Sequence, residues 1–142
     1  MKIIIPIIVI SAFYSCIYDS SLKPVIPNHL ITANSAKTWV QTEYTKHGES
    51  VVPHLSESRF TYTFYDNGTF REQRLIHLGS KKGKKGNFSW KVSEENDTII
   101  SLLYYGAPPL SLNIESIDTK IMRLANDSIS MTLETLQPPK LK

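Results

Sequence analysis

Arg59-Phe60-Thr61-Tyr62-Thr63-Phe64-Tyr65-Asp66-Asn67-Gly68-Thr69-Phe70 is the stretch whose reading decides how this chain folds. Phe60, Tyr62 and Phe64 alternate with Thr61, Thr63 and Tyr65, the period of two that marks a half-buried β-strand. Asp66-Asn67-Gly68 then supplies turn chemistry, because Asn and Gly tolerate the positive φ angles of a tight hairpin. Thr69 to Leu78 reads as the returning strand.

The same grammar runs outward from this hairpin. Upstream, Trp39 to Lys46 reads as a first strand ended by His47-Gly48-Glu49, with a loop through Pro53. Downstream, a basic loop from Gly79 to Gly86 leads to Asn87–Ser93, where Phe88, Trp90 and Val92 alternate with polar residues. Glu94-Glu95-Asn96-Asp97 turns into Thr98–Tyr105, apolar on both faces. Gly106-Ala107-Pro108-Pro109 breaks that strand, since proline cannot donate to a ladder. Leu110–Ile117, Lys120–Leu124 and a last strand marked by Ile129, Met131 and Leu133 complete the series. No helix with a sustained 3.6-residue period is legible, apart from a turn near Ser35. About eight strands at regular spacing point to an all-β antiparallel fold, either a sandwich or an up-and-down β-barrel.

The N-terminus carries a different signal. Lys2 precedes an apolar run from Ile3 to Ala12, and Phe13-Tyr14-Ser15 leads to Cys16, the only cysteine. The run is too short to span a bilayer, which needs about 20 apolar residues, but suits a signal-peptide core. Residues 1–15 are read as a lipoprotein signal peptide and Cys16 as the lipidated first residue of the mature chain. Ser15 is the small residue such cleavage requires. Residues 16–36 hold Pro24 and Pro27 among polar residues and are read as a flexible tether. Ile17, not aspartate, follows the cysteine, which favours an outer-membrane lipoprotein of the cell envelope, facing periplasm or cell surface. With one cysteine no disulfide can staple the fold, so stability must come from the core. Residues 137–142 form a polar, proline-containing tail.

Charge is close to balance. Removing the leader takes away Lys2 and leaves 15 basic against 13 acidic residues, which argues against nucleic acid as a partner.

Several of these segments, taken in order, resemble the lipocalin-like domains of Bacteroidetes lipoproteins. The resembling residues are Thr38-Trp39, Phe64 to Phe70 across the hairpin, Asn87-Phe88-Ser89-Trp90, Thr98 to Leu102, Ile117 to Leu124 and Ser128 to Leu133. Phe13-Tyr14-Ser15 is likewise similar to the looser cleavage boxes of that phylum. The chain departs from the pattern where a glycine often precedes the first tryptophan, since Lys37 and Thr38 stand there. The resemblance implies a small eight-stranded antiparallel barrel over residues 37–136, with a central cavity that could hold a small apolar or amphiphilic ligand. It brings a shape and little chemistry.

Catalytic constellations are missing from the sequence. His29, His47, His54 and His77 lack metal-type spacing, no glycine-rich phosphate loop precedes a helix, and no nucleophile elbow occurs. The chain is therefore expected to be non-enzymatic, with no cofactor and no metal. Trp39, Phe60, Phe64, Phe70, Phe88 and Trp90 are expected to build the core. Tyr62, Tyr65, Tyr104 and Tyr105 can pair an apolar body with a hydroxyl at a pocket mouth. On the returning strand the inward polar residues are Arg71 and Gln73 or Glu72 and Arg74, depending on register. The candidate ligand-binding set is Tyr62, Arg71, Arg74, Trp90 and Tyr104. Lys81, Lys82, Lys84 and Lys85 are candidates for contact with an anionic surface. Asp97-Thr98-Ile99 and Asp127-Ser128-Ile129 resemble Bacteroidetes O-glycosylation sites at Thr98 and Ser128, although turn chemistry alone produces the same triplets. Two functions compete: a membrane-anchored ligand carrier, and a protein-interaction module such as an envelope-complex accessory subunit, inhibitor or immunity-type lipoprotein. A carrier requires a cavity, and an interaction module a filled barrel with an exposed patch.

Overall fold

The computed structural model describes residues 28–80 and 88–137. Cys16 and the leader, Lys81, Lys82, Lys84 and Lys85, and the chain from residue 138 lie outside the described residues. A short helix α1 (Asn28–Thr32) precedes nine strands: β1 (Ala36–Lys46), β2 (Glu49–Ser50), β3 (Phe60–Tyr65), β4 (Thr69–Arg74), β5 (Phe88–Val92), β6 (Ile99–Leu103), β7 (Leu110–Ile117), β8 (Ile121–Ala125) and β9 (Ile129–Thr135). From β3 onward each strand pairs antiparallel with the next, and β9 returns to β1. The result is a closed eight-stranded up-and-down barrel, with β2 as an extra short strand beside β1. Closure is possible because β1 is long. Its first half, Ala36 to Val40, pairs with β3, and Trp39 to Lys46 pairs with β9.

The deciding hairpin forms with the expected register: Phe64 faces Phe70, Tyr62 faces Glu72 and Phe60 faces Arg74. Its turn differs from the expectation in one respect. Gly68 alone adopts a positive φ, 80°, while Asn67 works through its side chain. Asn67 Oδ1 accepts hydrogen bonds from the Thr69 amide at 3.0 Å and the Thr69 hydroxyl at 2.7 Å. β4 also ends earlier than expected. After a last cross-strand bond from the Leu75 amide to the Arg59 carbonyl (2.8 Å), the chain enters a 3-10 turn, Leu75–His77, closed by the Leu78 amide on the Leu75 carbonyl (3.0 Å). The buried Gln73 amide supports this turn by donating to the His77 and Ser80 carbonyls.

One end of the barrel is packed shut. Phe64 stacks on Phe70 with ring centres 5.8 Å apart and meets Trp90 edge-on at 5.6 Å. Trp39, Ile100, Ile114 and Met122 fill the space around them. The stretch read as tether contributes the plug: α1 lies within it, and Ile31 is fully buried. Trp39 Nε1 donates to the Ile31 carbonyl at 3.0 Å, joining helix to barrel. Lys37, where a glycine was expected, has its ammonium 3.8 Å from the Trp39 ring centre. It also donates to the Leu30 and Thr119 carbonyls, so this departure tightens the closed end. Partial burial holds the Lys37 pKa below its usual value, opposed by the Asp118 charge.

Candidate ligand-binding site

The other end of the barrel is open, for two local reasons. β1 pairs with β3 no further than Val40–Thr61, although β1 itself runs on to Lys46. Gln41 and Tyr44 therefore lie where the two strands have separated. The register of β1 against β9 also shifts between Gln41 and Glu43, a β-bulge at Thr42. A bulge changes the phase of the side chains that follow it. Trp39 and Gln41 point inward before it, whereas after it Tyr44 pairs with the buried Met131 and Glu43 with Thr132 on the outer face.

The opening leads into a pocket of about 500 Å³. Gln41, Tyr44, Tyr62, Glu72, Arg74 and Tyr104 supply its polar groups, and Val51, Pro53, Phe60, Leu110 and Met131 its apolar surface. The loop after β2 reaches it because the Val51 amide bonds to the Tyr44 carbonyl at 2.9 Å. On the inner wall Tyr104 Oη donates to Glu72 Oε2 at 2.6 Å, and the Tyr104 ring stands edge-on to Phe70 and Phe88. Burial first, then the Glu72 charge, raises the pKa of both Tyr104 and Tyr62 far above the ordinary phenol value. Both phenols are neutral at any physiological pH.

Strand register settles where the expected site residues stand. Tyr62, Arg74 and Tyr104 are brought together on the pocket. Arg71 is not among them. It faces Thr63 across the hairpin, on the exposed outer surface, because Phe70 and Glu72 occupy the inward positions on either side of it. Trp90 is inside the barrel but in the packed end, where it meets Phe64 and its indole N–H bonds the Tyr65 carbonyl at 3.0 Å. Of the other tyrosines, Tyr105 is 91% exposed and Tyr65 half-buried. Sequence reading misses Tyr44 because the bulge breaks the alternation after Gln41, and misses Gln41, which keeps the phase of Trp39, because a polar side chain carries no inward signal. Thr98 and Ser128 sit in turns organised by the preceding asparagine: Asn96 Oδ1 accepts from the Thr98 amide and hydroxyl, and Asn126 Oδ1 from the Ser128 amide.

Among the described residues, four large apolar side chains are conspicuously exposed: Val51, Leu55, Ile76 and Tyr105. All four lie on the loops after β2, β4 and β6, at the open end. Among the described residues no group of three His, Cys, Asp or Glu side chains could hold a metal ion. None of the described helices is long and apolar enough to cross a membrane.

Among solved structures, a lipocalin-like protein from Bacteroides uniformis superimposes on this chain with a TM-score of 0.53. The match covers 72% of this chain and 99% of that one, at 17% sequence identity. The fold is lipocalin-like. No family model and no curated protein matches the sequence. At this identity the likeness concerns the path of the backbone, so the chemistry of the lipocalin-like pocket has to be argued from its own residues.

Proposed function

We propose that this protein is a non-enzymatic carrier that holds one small amphiphilic molecule in the open end of its lipocalin-like barrel, anchored to the cell-envelope membrane through a lipidated Cys16. The observation that carries the reading is the pocket. Its volume of about 500 Å³ falls in the range of small-molecule sites. Its mixed polar and apolar lining suits a molecule with an apolar body and a polar end. Apolar burial, about 25 cal/mol per Å², supplies affinity, and the convergent polar groups supply orientation. Val51, an exposed apolar side chain, lines the pocket itself and offers an amphiphile an apolar contact at its entrance.

Native mass spectrometry of the protein purified from its own host, compared with the denatured mass, tests the carrier. A small molecule that leaves on denaturation is the expected result. An apo mass from freshly isolated protein contradicts it. The anchor is tested separately: Cys16→Ala is expected to move the protein from the membrane to the soluble fraction, and unchanged fractionation argues against lipidation.

The exposed apolar rim also supports a second reading, in which the same end docks an envelope protein partner, as an accessory subunit or an inhibitor would. A partner captured by cross-linking at the rim, together with an apo mass, favours that role.

A further inference from the structure

We infer that the pocket selects the protonated amine end of an amphiphile, with Glu72 as its counter-charge; this deepens, and rests on, the carrier function proposed above. Register turns two charged groups to the pocket side of β4, Glu72 and Arg74, and the acid is the one withdrawn from solvent. Glu72 is half-buried and faces the buried Tyr62 across the hairpin. Its hydrogen bond from Tyr104, at 2.6 Å, uses one carboxylate oxygen. Among the described residues no Lys, Arg or His reaches ion-pair distance of it. Arg71, next to it, faces the opposite way, and Arg74, which shares its face and lines the pocket, is exposed. Its guanidinium carbon sits 5.1 Å from the Phe60 ring centre, and Nη1 donates to the Ser58 carbonyl at 3.1 Å.

Two neutral groups beside this carboxylate also await partners. Gln41 is 3% exposed, Tyr62 6%, and both line the pocket. Among the described residues neither the Gln41 amide nor the Tyr62 hydroxyl meets a hydrogen-bond partner in the protein. Neither group counts among the buried polar atoms without a partner, so each opens on the pocket, where a ligand can take over the hydrogen bonds that water otherwise makes. A carboxylate withdrawn from water is stabilised by an opposite charge within reach. An ammonium group meets all these demands together, because it carries three donors and no acceptor. It can give one hydrogen to the second Glu72 oxygen, one to the Gln41 carbonyl and one to a phenol oxygen. Tyr44, Tyr62 and Tyr104 line the same pocket, and aromatic rings near a cation favour it further. Because burial and the Glu72 charge keep Tyr62 and Tyr104 protonated, those phenols add no competing negative charge. A carboxylate head would instead meet Glu72 as a like charge.

Three probes with one tail and different heads test this: decylammonium, decanol and decanoate, titrated calorimetrically into the full chain near neutral pH. Decylammonium is expected to bind tightest, by about tenfold or more over decanol, the scale on which loss of one partner of a partly buried charge pair is felt. Glu72→Gln keeps the side-chain size and an acceptor for Tyr104. It is expected to abolish the preference, so that decylammonium binds the variant no tighter than decanol does, with circular dichroism checking the fold. Gln41→Ala is the second variant, expected to weaken decylammonium severalfold more than decanol. The inference is overturned if decanoate binds as well as decylammonium, or if Glu72→Gln leaves the preference intact. Equal binding of all three probes removes the amine preference and leaves the carrier standing. Failure of all three to bind the folded protein removes both.

Discussion

Gly68 shows how much one residue can settle. Its φ of 80° turns β3 into β4, and the Trp90 amide bonds to its carbonyl at 2.9 Å. A Cβ at this position would meet the Trp90 carbonyl oxygen at 3.7 Å, an ordinary contact, so space is not the constraint. Backbone conformation is. Gly68→Ala is therefore expected to cost about 1–2 kcal/mol, the penalty of a left-handed L-residue, seen as a lower urea midpoint with an unchanged slope. Tyr62 and Tyr104 give a second prediction. Their folded pKa values stand above the unfolded value near 10. Between those values the folded state binds more protons than the unfolded, so their contribution is complete below about pH 10 and lost as pH rises beyond it. Alkaline titration followed at 295 nm should leave two phenols silent until the protein unfolds. A Tyr62→Phe, Tyr104→Phe double variant should lose less stability on going from pH 9 to 11. The Tyr-rich alternation was legible in the sequence. That Glu72 rather than Arg71 shares its face was not, since both registers suited the pattern until Phe64 was seen opposite Phe70.

Among the elements, the strands were read closely and the helix was not. Five residues carry too little periodicity to announce a helix, and Asn28–Thr32 follows a proline-containing polar stretch that looks like linker. Its identity comes from tertiary packing: Ile31 closes the barrel and its carbonyl receives the Trp39 indole. Ile31→Ala should accordingly cost about 2–5 kcal/mol, as for other buried large-to-small changes, measured by chemical denaturation. If the cost is under about 0.5 kcal/mol, typical of a surface change, α1 is not the plug described above. The bulge at Thr42 is the other element the sequence hid. One extra residue in β1 sends Glu43 out to Thr132, whose hydroxyl donates to Glu43 Oε2 at 2.7 Å, and Tyr44 in to the pocket.

At the scale of the whole molecule, closure is the dominant fact. The barrel is sealed by β1 and β9, joined by contacts between residues 89 positions apart. Such long-range pairings must be ordered before they contribute, so folding is expected on the millisecond-to-second scale of non-local β-topologies. Stopped-flow refolding followed by tryptophan fluorescence checks this, with Trp39 and Trp90 both reporting from the closed end. Microsecond folding is inconsistent with closure as the late step. The same closure separates the two tasks of the barrel. One end is filled by aromatic and aliphatic side chains, leaving the other to hold a pocket without loss of the core.

Local sequence suffices for the all-β class, the succession of strands along the chain and most of the core, because alternation and turn chemistry act between near neighbours. Tertiary structure alone decided the barrel over the sandwich, the helical plug, and which polar residues face the pocket. Those outcomes depend on the pairing of chain ends, on a bulge and on the phase of one strand against another. A shift of a single residue in that phase exchanges the inward set for the outward one.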